Sequence, residues 1–231
     1  MPKIVVIAHN IRSAFNVGSI FRTCEGFGVE RLILSGYTPY PDLSLCREAP
    51  NCALIDGEIT RDDQRLPHIR EKITKQIHKT ALGAESLVPF EYREVPPLDE
   101  LRQLGYRIAA LEQAANSTNL RNYSAPDRIA LLLGEEVDGI APEWLALADD
   151  IIEIPMFGQK ESFNVSVAAG IALYELATSG KIARKGFKIC IFCKIIAKSI
   201  DNFTTLCYIN TSFSLKFSKI KGVKLPFYLS E

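Results

Sequence analysis

Short apolar runs alternate with amphipathic segments along most of this chain. Six segments have the length and composition of strands, and several of them are apolar throughout: residues 3–8, 29–35, 89–94, 107–111, 128–133 and 151–154. Helical spacing of apolar positions marks the segments between them: residues 11–27, 66–75, 98–104, the stretch after Pro142 and the stretch from Val165. This alternation predicts an α/β fold, a mostly parallel sheet with helices on both faces.

Polar or conformationally special residues follow several of the predicted strands. They are Asn10 and Arg12, Glu112, Gly134-Glu135-Glu136, and Pro155-Met156. The carboxyl ends of parallel strands meet at one edge of a sheet, and ligands bind outside that edge. The sequence therefore predicts a ligand site there.

Residues 151–175 form the most informative stretch. Pro155 cannot donate to a sheet ladder, so the strand should end there. Ser162 is the predicted N-cap of a helix that runs from about Val165. That helix is rich in small residues, so a ligand or another backbone can approach it closely. The same stretch also fits an ordinary strand–helix unit with a small-residue packing face.

Composition narrows the class of protein. The chain has 231 residues and 47% apolar content, which suits one large domain or one domain with an appendage. No apolar run reaches the length of a membrane span, and the first residues lack a secretory pattern. Six scattered cysteines predict reduced thiols and a cytoplasmic protein. Cys190-x-x-Cys193 and Cys207 lack further ligands nearby, so no metal site is predicted.

Charge divides the chain into two parts. Residues 182–231 contain nine Lys or Arg and two acidic residues, a net charge of +7. The residues before them contain 18 basic and 25 acidic residues, a net charge of −7. We predict a domain over residues 1–180 and a basic, poorly patterned extension over residues 181–231. An acidic body does not indicate nucleic-acid binding by bulk charge, so such binding requires a local patch. The candidates are the loop at 36–47, the basic residues of 61–79 and the extension.

Three separated blocks carry a resemblance. They are NIRSAFNVGSIFR (10–22), LLLGEEVDGI (131–140) and IPMFGQKESFNVSVAAGIALYEL (154–176). In order and spacing they resemble the three signature motifs of the SpoU (TrmH-type) RNA ribose 2′-O-methyltransferases. The similarity covers about residues 3–180.

The resemblance implies a SPOUT-type α/β fold with a C-terminal trefoil knot, a homodimer, and S-adenosylmethionine as the methyl donor. The family's cofactor pocket is formed by the loops after three strands. Its matching positions in this sequence are Leu111, Glu112, Leu133, Gly134, Glu135, Gly139, Ile154, Pro155, Met156, Ser162, Phe163 and Asn164. Adenine requires an apolar slot with backbone hydrogen bonds, and a glycine lets the backbone approach it.

The resemblance also implies catalytic roles for Asn16, Arg22, Glu136, Ser162 and Asn164. Arg22 has been cast as a base in this family, but a guanidinium keeps its proton in proteins. We therefore expect Arg22 to hold the target phosphate or the developing alkoxide, with Asn16 orienting it. Without the other blocks, Asn16 and Arg22 would fit a solvated helix face, and Glu136 a polar turn.

Two side chains near these blocks are predicted to be structural. His9 has no evident acidic partner and the motif does not require it, and Trp144 is predicted to be a packing anchor.

The predicted function is methylation of an RNA ribose 2′-hydroxyl, with tRNA favoured and rRNA second. DNA lacks the acceptor hydroxyl and is excluded. The alternative is a catalytically inactive member of the fold that binds RNA or cofactor. A nucleotide-dependent oxidoreductase is weaker, because no G-x-G-x-x-G follows the first strand.

Overall fold

The computed structural model describes residues 1–47 and 63–178, all within one compact unit, Met1–Ala183. Within these residues the chain forms a seven-stranded parallel sheet. Its strands are β1 (Lys3–His9), β2 (Arg31–Ser35), β3 (Phe90–Arg93), β4 (Arg107–Leu111), β5 (Thr118–Asn119), β6 (Arg128–Leu133) and β7 (Asp150–Glu153). Their order is β3-β2-β1-β6-β4-β7-β5.

Five α-helices cover the sheet in the described part of the chain. They are α1 (Ala14–Phe27), α2 (Pro67–Ala81), α3 (Leu98–Gln103), α4 (Pro142–Ala146) and α5 (Val165–Thr178). Short 3-10 turns occur at Leu43–Arg47, Ala84–Ser86 and Leu120–Asn122. None of the described helices is both long enough and apolar enough to cross a membrane.

The two faces of the sheet carry separate hydrophobic layers. Along β1, Ile4 and Val6 join the layer under α1, α2 and α5, whereas Val5 and Ile7 join the layer under α3 and α4. Successive strand side chains point to opposite faces, so a strand buried on both must be apolar throughout. The predicted parallel α/β sheet with helices on both faces is confirmed.

Capping residues set the ends of α1. The hydroxyl of Ser13 accepts a hydrogen bond from the backbone N–H of Asn16, and Gly28 ends the helix at φ +62°. The helix thus begins at Ala14, three residues later than the predicted start at residue 11, because Ser13 provides the cap. Gly28, rather than Gly26, is the terminating glycine.

The second helix is longer than predicted. The predicted helix ends at residue 75, but α2 continues to Ala81 and has its C-cap at Leu82. Ile77 and Ala81 are buried against α1 on the same side of the helix, and this packing extends it by more than a turn.

Arg65 fixes the position of the loop at 36–47 through several contacts. The guanidinium donates to the carbonyl oxygens of Tyr40 and Pro41 and pairs with Asp63. It also lies 3.5 Å from the centre of the Tyr40 ring, which stacks on Tyr92 of β3. The predicted loop therefore has a fixed position beside the carboxyl edge of the sheet.

Three further predictions have different outcomes. No strand or helix is predicted between residues 111 and 128, but this segment contains the two-residue β5 and a 3-10 turn. Cys24 is a buried free thiol, and burial raises its pKa, so it is chemically inert. The predicted extension at 181–231, with Cys190, Cys193 and Cys207, lies outside the described residues, as does most of the poorly defined segment before Arg65.

Candidate active site

A pocket opens at the carboxyl edge of the sheet, between the loops that follow β4, β6 and β7 and the start of α5. Its volume is about 800 Å³, a figure that includes the open space at its mouth. A pocket therefore lies at the edge where the ligand site was predicted. Its lining residues are Leu111, Glu112, Gln113, Leu133, Gly134, Glu135, Glu136, Val137, Asp138, Gly139, Glu153, Ile154, Ser162, Phe163, Val165 and Ala168.

The loop after β6 is folded tightly around two glycines. Glu135 donates its backbone N–H to the carbonyl oxygen of Gly139 at 2.9 Å, and Gly139 has φ +69°. A Cβ on Gly134 would collide with the backbone of Gly139. Both positions therefore require glycine, and the missing side chain of Gly134 makes room for the backbone of Gly139.

Glu112 holds this loop in place. Its carboxylate accepts the backbone N–H of Ile140 at 2.8 Å and that of Gln113 at 2.9 Å. The amide of Gln113 in turn donates to the carbonyl oxygen of Glu161 at 2.8 Å, in the loop before α5. The two residues after β4 thus connect all three pocket loops. Glu112 was predicted to bind cofactor, yet both its oxygens accept backbone N–H groups.

Glu136 is anchored at the start of α1. Its carboxylate accepts the backbone N–H groups of Arg12 (3.0 Å) and Ser13 (3.2 Å) and the side-chain amide of Asn16 (3.0 Å). Partial burial works against ionisation, but these hydrogen bonds outweigh it and lower the pKa of Glu136 below its ordinary 4.5. Glu136 is therefore a bound carboxylate and a poor proton acceptor at neutral pH.

A series of hydrogen bonds continues from Glu136 into the third motif block. Asn164 donates its amide to Asn16 Oδ1 at 3.1 Å. Its own Oδ1 accepts from the backbone N–H of Ser166 at 2.9 Å and from the Ser166 hydroxyl at 2.7 Å. Asn164 is thus the N-cap of α5, and the prediction of Ser162 as the cap is wrong. Since Val165 is the first helical residue, the cap lies directly before it.

Within one chain, Arg22 takes no part in this series of hydrogen bonds. Its side chain is exposed on α1 and has no hydrogen-bond or ion-pair partner among residues 1–47 and 63–178. Asn16 bonds to Glu136 and Asn164 instead, so the predicted contact between Asn16 and Arg22 is not made in this chain. Six positions separate the two residues, which places them on different faces of the helix.

His9 is structural, as predicted. Its Nδ1 lies 2.9 Å from the Ser35 hydroxyl, and its ring meets Trp144 edge-on at 5.2 Å. Burial lowers the pKa of His9 despite the opposing charges of Glu135 and Glu143, so the ring is neutral at pH 7. Trp144 packs against the core below the site, as predicted.

The predicted cofactor residues divide into two groups. Nine of them line the pocket: Leu111, Glu112, Leu133, Gly134, Glu135, Gly139, Ile154, Ser162 and Phe163. Pro155, Met156 and Asn164 are absent from its lining. Sequence reasoning missed Gln113, Val137, Asp138, Glu153, Val165 and Ala168. Each is a near neighbour in sequence of a predicted residue, which was the available signal.

The lining combines apolar and acidic side chains. Its apolar residues include Leu111, Leu133, Ile154, Phe163 and Val165. Among the described residues, the lining contains five carboxylates and no basic side chain, a composition that favours a cationic ligand with an apolar part. The carboxylates are those of Glu112, Glu135, Glu136, Asp138 and Glu153.

Comparison with known proteins agrees with the motif blocks. The model of the SpoU rRNA Methylase family matches residues 64–174. The chain is also similar to the tRNA (guanosine(18)-2′-O)-methyltransferase of Aquifex aeolicus, at 31% identity over 172 residues, which are 74% of this chain and 67% of that protein. The resemblance seen in the sequence is confirmed.

Solved structures share the fold. The A. aeolicus TrmH/SpoU tRNA modifying enzyme superposes with a TM-score of 0.57 at 26% identity, over 78% of this chain and 76% of that one. An AdoMet-bound rRNA methyltransferase from Sinorhizobium meliloti, at 22% identity and a TM-score of 0.54, shows likeness of fold alone. The match covers 75% of this chain but only 55% of that longer protein. Motif blocks that meet at one pocket, together with a relative matched over two thirds of its length, establish that this chain belongs to the SpoU methylase family.

Proposed function

We propose that this protein uses S-adenosylmethionine to methylate a ribose 2′-hydroxyl of tRNA in the cytoplasm. The observation that carries the proposal is the hydrogen-bonded series Glu136–Asn16–Asn164, which joins the three motif blocks beside the pocket. The A. aeolicus relative is named a tRNA 2′-O-methyltransferase, which favours tRNA over rRNA.

The pocket residues fit the methyl donor. The donor supplies a methyl group on a positively charged sulfur, so the acidic lining favours it. The apolar residues of the lining suit adenine. Ser162 lines this pocket and its hydroxyl has no hydrogen-bond partner among the described residues, so it is available to the donor or the acceptor.

The catalytic contribution of these residues is positioning. Methyl transfer requires the ribose oxygen to lie in line with the methyl group, and fixed geometry supplies much of the acceleration. Glu136 fixes the first block against the second, and Asn164 fixes the third against the first. With its lowered pKa, Glu136 serves as an anchor rather than as the base.

Arg22 would act electrostatically on the RNA, by holding the target phosphate or the developing alkoxide. We expect Arg22→Lys, which keeps the charge but loses the planar fork, to lower single-turnover methylation by at least about tenfold. S-adenosylmethionine binding, measured by calorimetry, should not change, because Arg22 is absent from the pocket lining. Turnover near that of the wild type would show that this position does not require a planar guanidinium.

A homodimer is part of the proposal. Phe163, Val167, Ile171 and Tyr174 lie on one side of α5 and its preceding loop, and each exposes more than a third of its surface. Such a stripe is typical of a face covered by another subunit. Phe27 of α1 contacts Tyr174 of the stripe, and Arg22 is exposed on the same helix, so we infer that a second copy on the stripe would reach Arg22.

The C-terminal trefoil knot also belongs to the proposal. Strands β4, β6 and β7 lie out of sequence order, since β4 separates β6 from β7, and this interleaving supports a threaded connection. The general preference is for connections that do not thread, so the knot rests on the family resemblance.

Methyl incorporation tests the function directly. Purified full-length protein is given labelled S-adenosylmethionine and RNA from cells lacking the protein, in separate tRNA and rRNA fractions. We expect label in tRNA, resistant to alkaline cleavage at one position because the 2′-hydroxyl is blocked. Donor binding with no incorporation in either fraction would favour the inactive alternative, and label in rRNA alone would overturn the choice of tRNA.

A further inference from the structure

The mouth of the pocket presents an exposed basic side chain beside an acidic lining. RNA phosphates are repelled by the carboxylates of this lining unless a cation offsets them. Arg12 follows β1 at this edge, and its side chain is 66% exposed. Its backbone N–H donates to Glu136 at 3.0 Å. The fold therefore holds a cation directly beside the Glu136–Asn16–Asn164 series.

The guanidinium of Arg12 is only loosely engaged. It lies 3.9 Å from Glu135 Oε2, and the nearby Tyr37 hydroxyl raises the pKa of Arg12 above its ordinary value. An ion pair of this length at an exposed site contributes little, so a phosphate with two well-placed oxygens can compete for the same donors.

Tyr37 is an exposed aromatic ring on a fixed backbone. About half of its surface is exposed (49%). Its backbone N–H donates to Asn10 Oδ1 at 3.2 Å, and the preceding Gly36 accepts a hydrogen bond from the Tyr92 hydroxyl at 2.7 Å. Asn10 also donates to Glu135 at 3.3 Å, which ties this turn to the pocket loop. The ring is thus held by backbone contacts beside the mouth.

We propose that Arg12 and Tyr37 form an RNA docking point, at which Arg12 binds a backbone phosphate and Tyr37 stacks on a base adjacent to the methylated ribose. This inference rests on the proposed function and identifies where the substrate of that site is held. Aromatic rings and arginines that contact unstacked bases and phosphates are the usual means of binding single-stranded RNA. Neither residue lines the donor pocket, so they contact the substrate alone.

The test separates RNA binding from catalysis. Affinity for a fluorescent, unmodified tRNA transcript is measured by anisotropy over a range of KCl for the wild type, Arg12→Gln, Tyr37→Ala and Tyr37→Phe. Tyr37→Ala should weaken binding by roughly 5- to 100-fold, because stacking is lost, while Tyr37→Phe stays within about twofold. Arg12→Gln should reduce the slope of log affinity against log salt by nearly one, because one phosphate contact is removed.

Lys3→Gln is the matched control, since Lys3 is also exposed and lies at the opposite end of β1. It should leave both affinity and salt slope unchanged. All variants should bind S-adenosylmethionine as the wild type does, and in the methylation assay Arg12→Gln should raise KM for tRNA more than it lowers kcat. Unchanged tRNA affinity in Arg12→Gln and Tyr37→Ala would overturn the docking point even if the enzyme is active. An inactive wild type whose tRNA affinity still depends on both residues would overturn only the proposed function.

Discussion

At the scale of single residues, the geometry of the site depends on a few polar side chains that each make more than one hydrogen bond. Glu136 accepts three hydrogen bonds from the start of α1, and Asn164 serves both as the cap of α5 and as the donor to Asn16. The motifs predicted which residues would meet but not which atoms would bond. Spacing along the chain does not determine the direction of a loop side chain, and so Ser162 was taken for the cap that Asn164 provides.

Asn164 can be tested by separating its two roles. Asn164→Ala removes the cap and the donor, and should lower the free energy of unfolding by about 1 kcal/mol. Asn164→Asp keeps an oxygen for the Ser166 N–H but cannot donate to Asn16, so its stability should stay close to that of the wild type. Both should lose methylation. Stability is measured by urea unfolding; full activity in Asn164→Asp would show that the bond to Asn16 is dispensable.

Glu136 predicts a pH dependence of stability. Its folded pKa lies below the ordinary value, so its carboxylate stabilises the native state above that value, and this contribution is lost as pH falls through the folded pKa. Glu136→Gln should therefore flatten the decline in unfolding free energy below about pH 4.5. Urea titrations between pH 3 and 7 measure this. Parallel curves for variant and wild type would exclude a charge-linked role for Glu136.

At the scale of elements, buried strands were predicted well and marginal elements poorly. The bounds of β4 and β6 match the predicted ones because both strands are apolar throughout. The two residues of β5 are too few and too polar to produce a pattern. The end of α2 depends on Ile77 and Ala81 packing against α1, a tertiary contact that local spacing does not contain.

The contact between α1 and α2 depends on Gly18. A Cβ there would collide with the Thr80 hydroxyl and the Ile77 carbonyl oxygen. Gly18→Ala should therefore lower the free energy of unfolding by about 1–3 kcal/mol, despite the better helix propensity of alanine. Gly26→Ala is the control on the same helix, because a Cβ at Gly26 meets nothing within 4 Å. Greater stability in both variants would contradict the close packing.

At the scale of the whole molecule, the exposed stripe on α5 bears on assembly. Ile171→Glu should convert the proposed homodimer to a monomer, because it places a charge in an apolar interface. Sedimentation velocity measures the mass. Leu147→Glu is the matched control, since Leu147 is similarly exposed but follows α4 on the other face of the sheet. A wild-type monomer, or a dimer that survives Ile171→Glu, would exclude this interface.

The charge of the pocket predicts a preference among ligands. Glu153 lines the pocket and accepts a hydrogen bond from the Ser117 hydroxyl, a bond that a glutamine can still accept. Glu153→Gln should weaken S-adenosylmethionine severalfold but leave the uncharged thioether product almost unaffected. Calorimetry with both ligands gives the ratio of their affinities. Glu25→Gln is the control, because Glu25 is exposed on α1. Equal losses for both ligands would indicate a change of shape instead.

The carboxylates around the pocket also bear on product release. Transfer of the methyl group would remove the positive charge from the sulfur, while the acidic side chains of the lining would remain in place. The product would then lose its electrostatic attraction to the pocket as soon as the methyl group is transferred. Under the proposed function, the reaction itself would weaken the binding of the product and so favour its exchange for fresh donor.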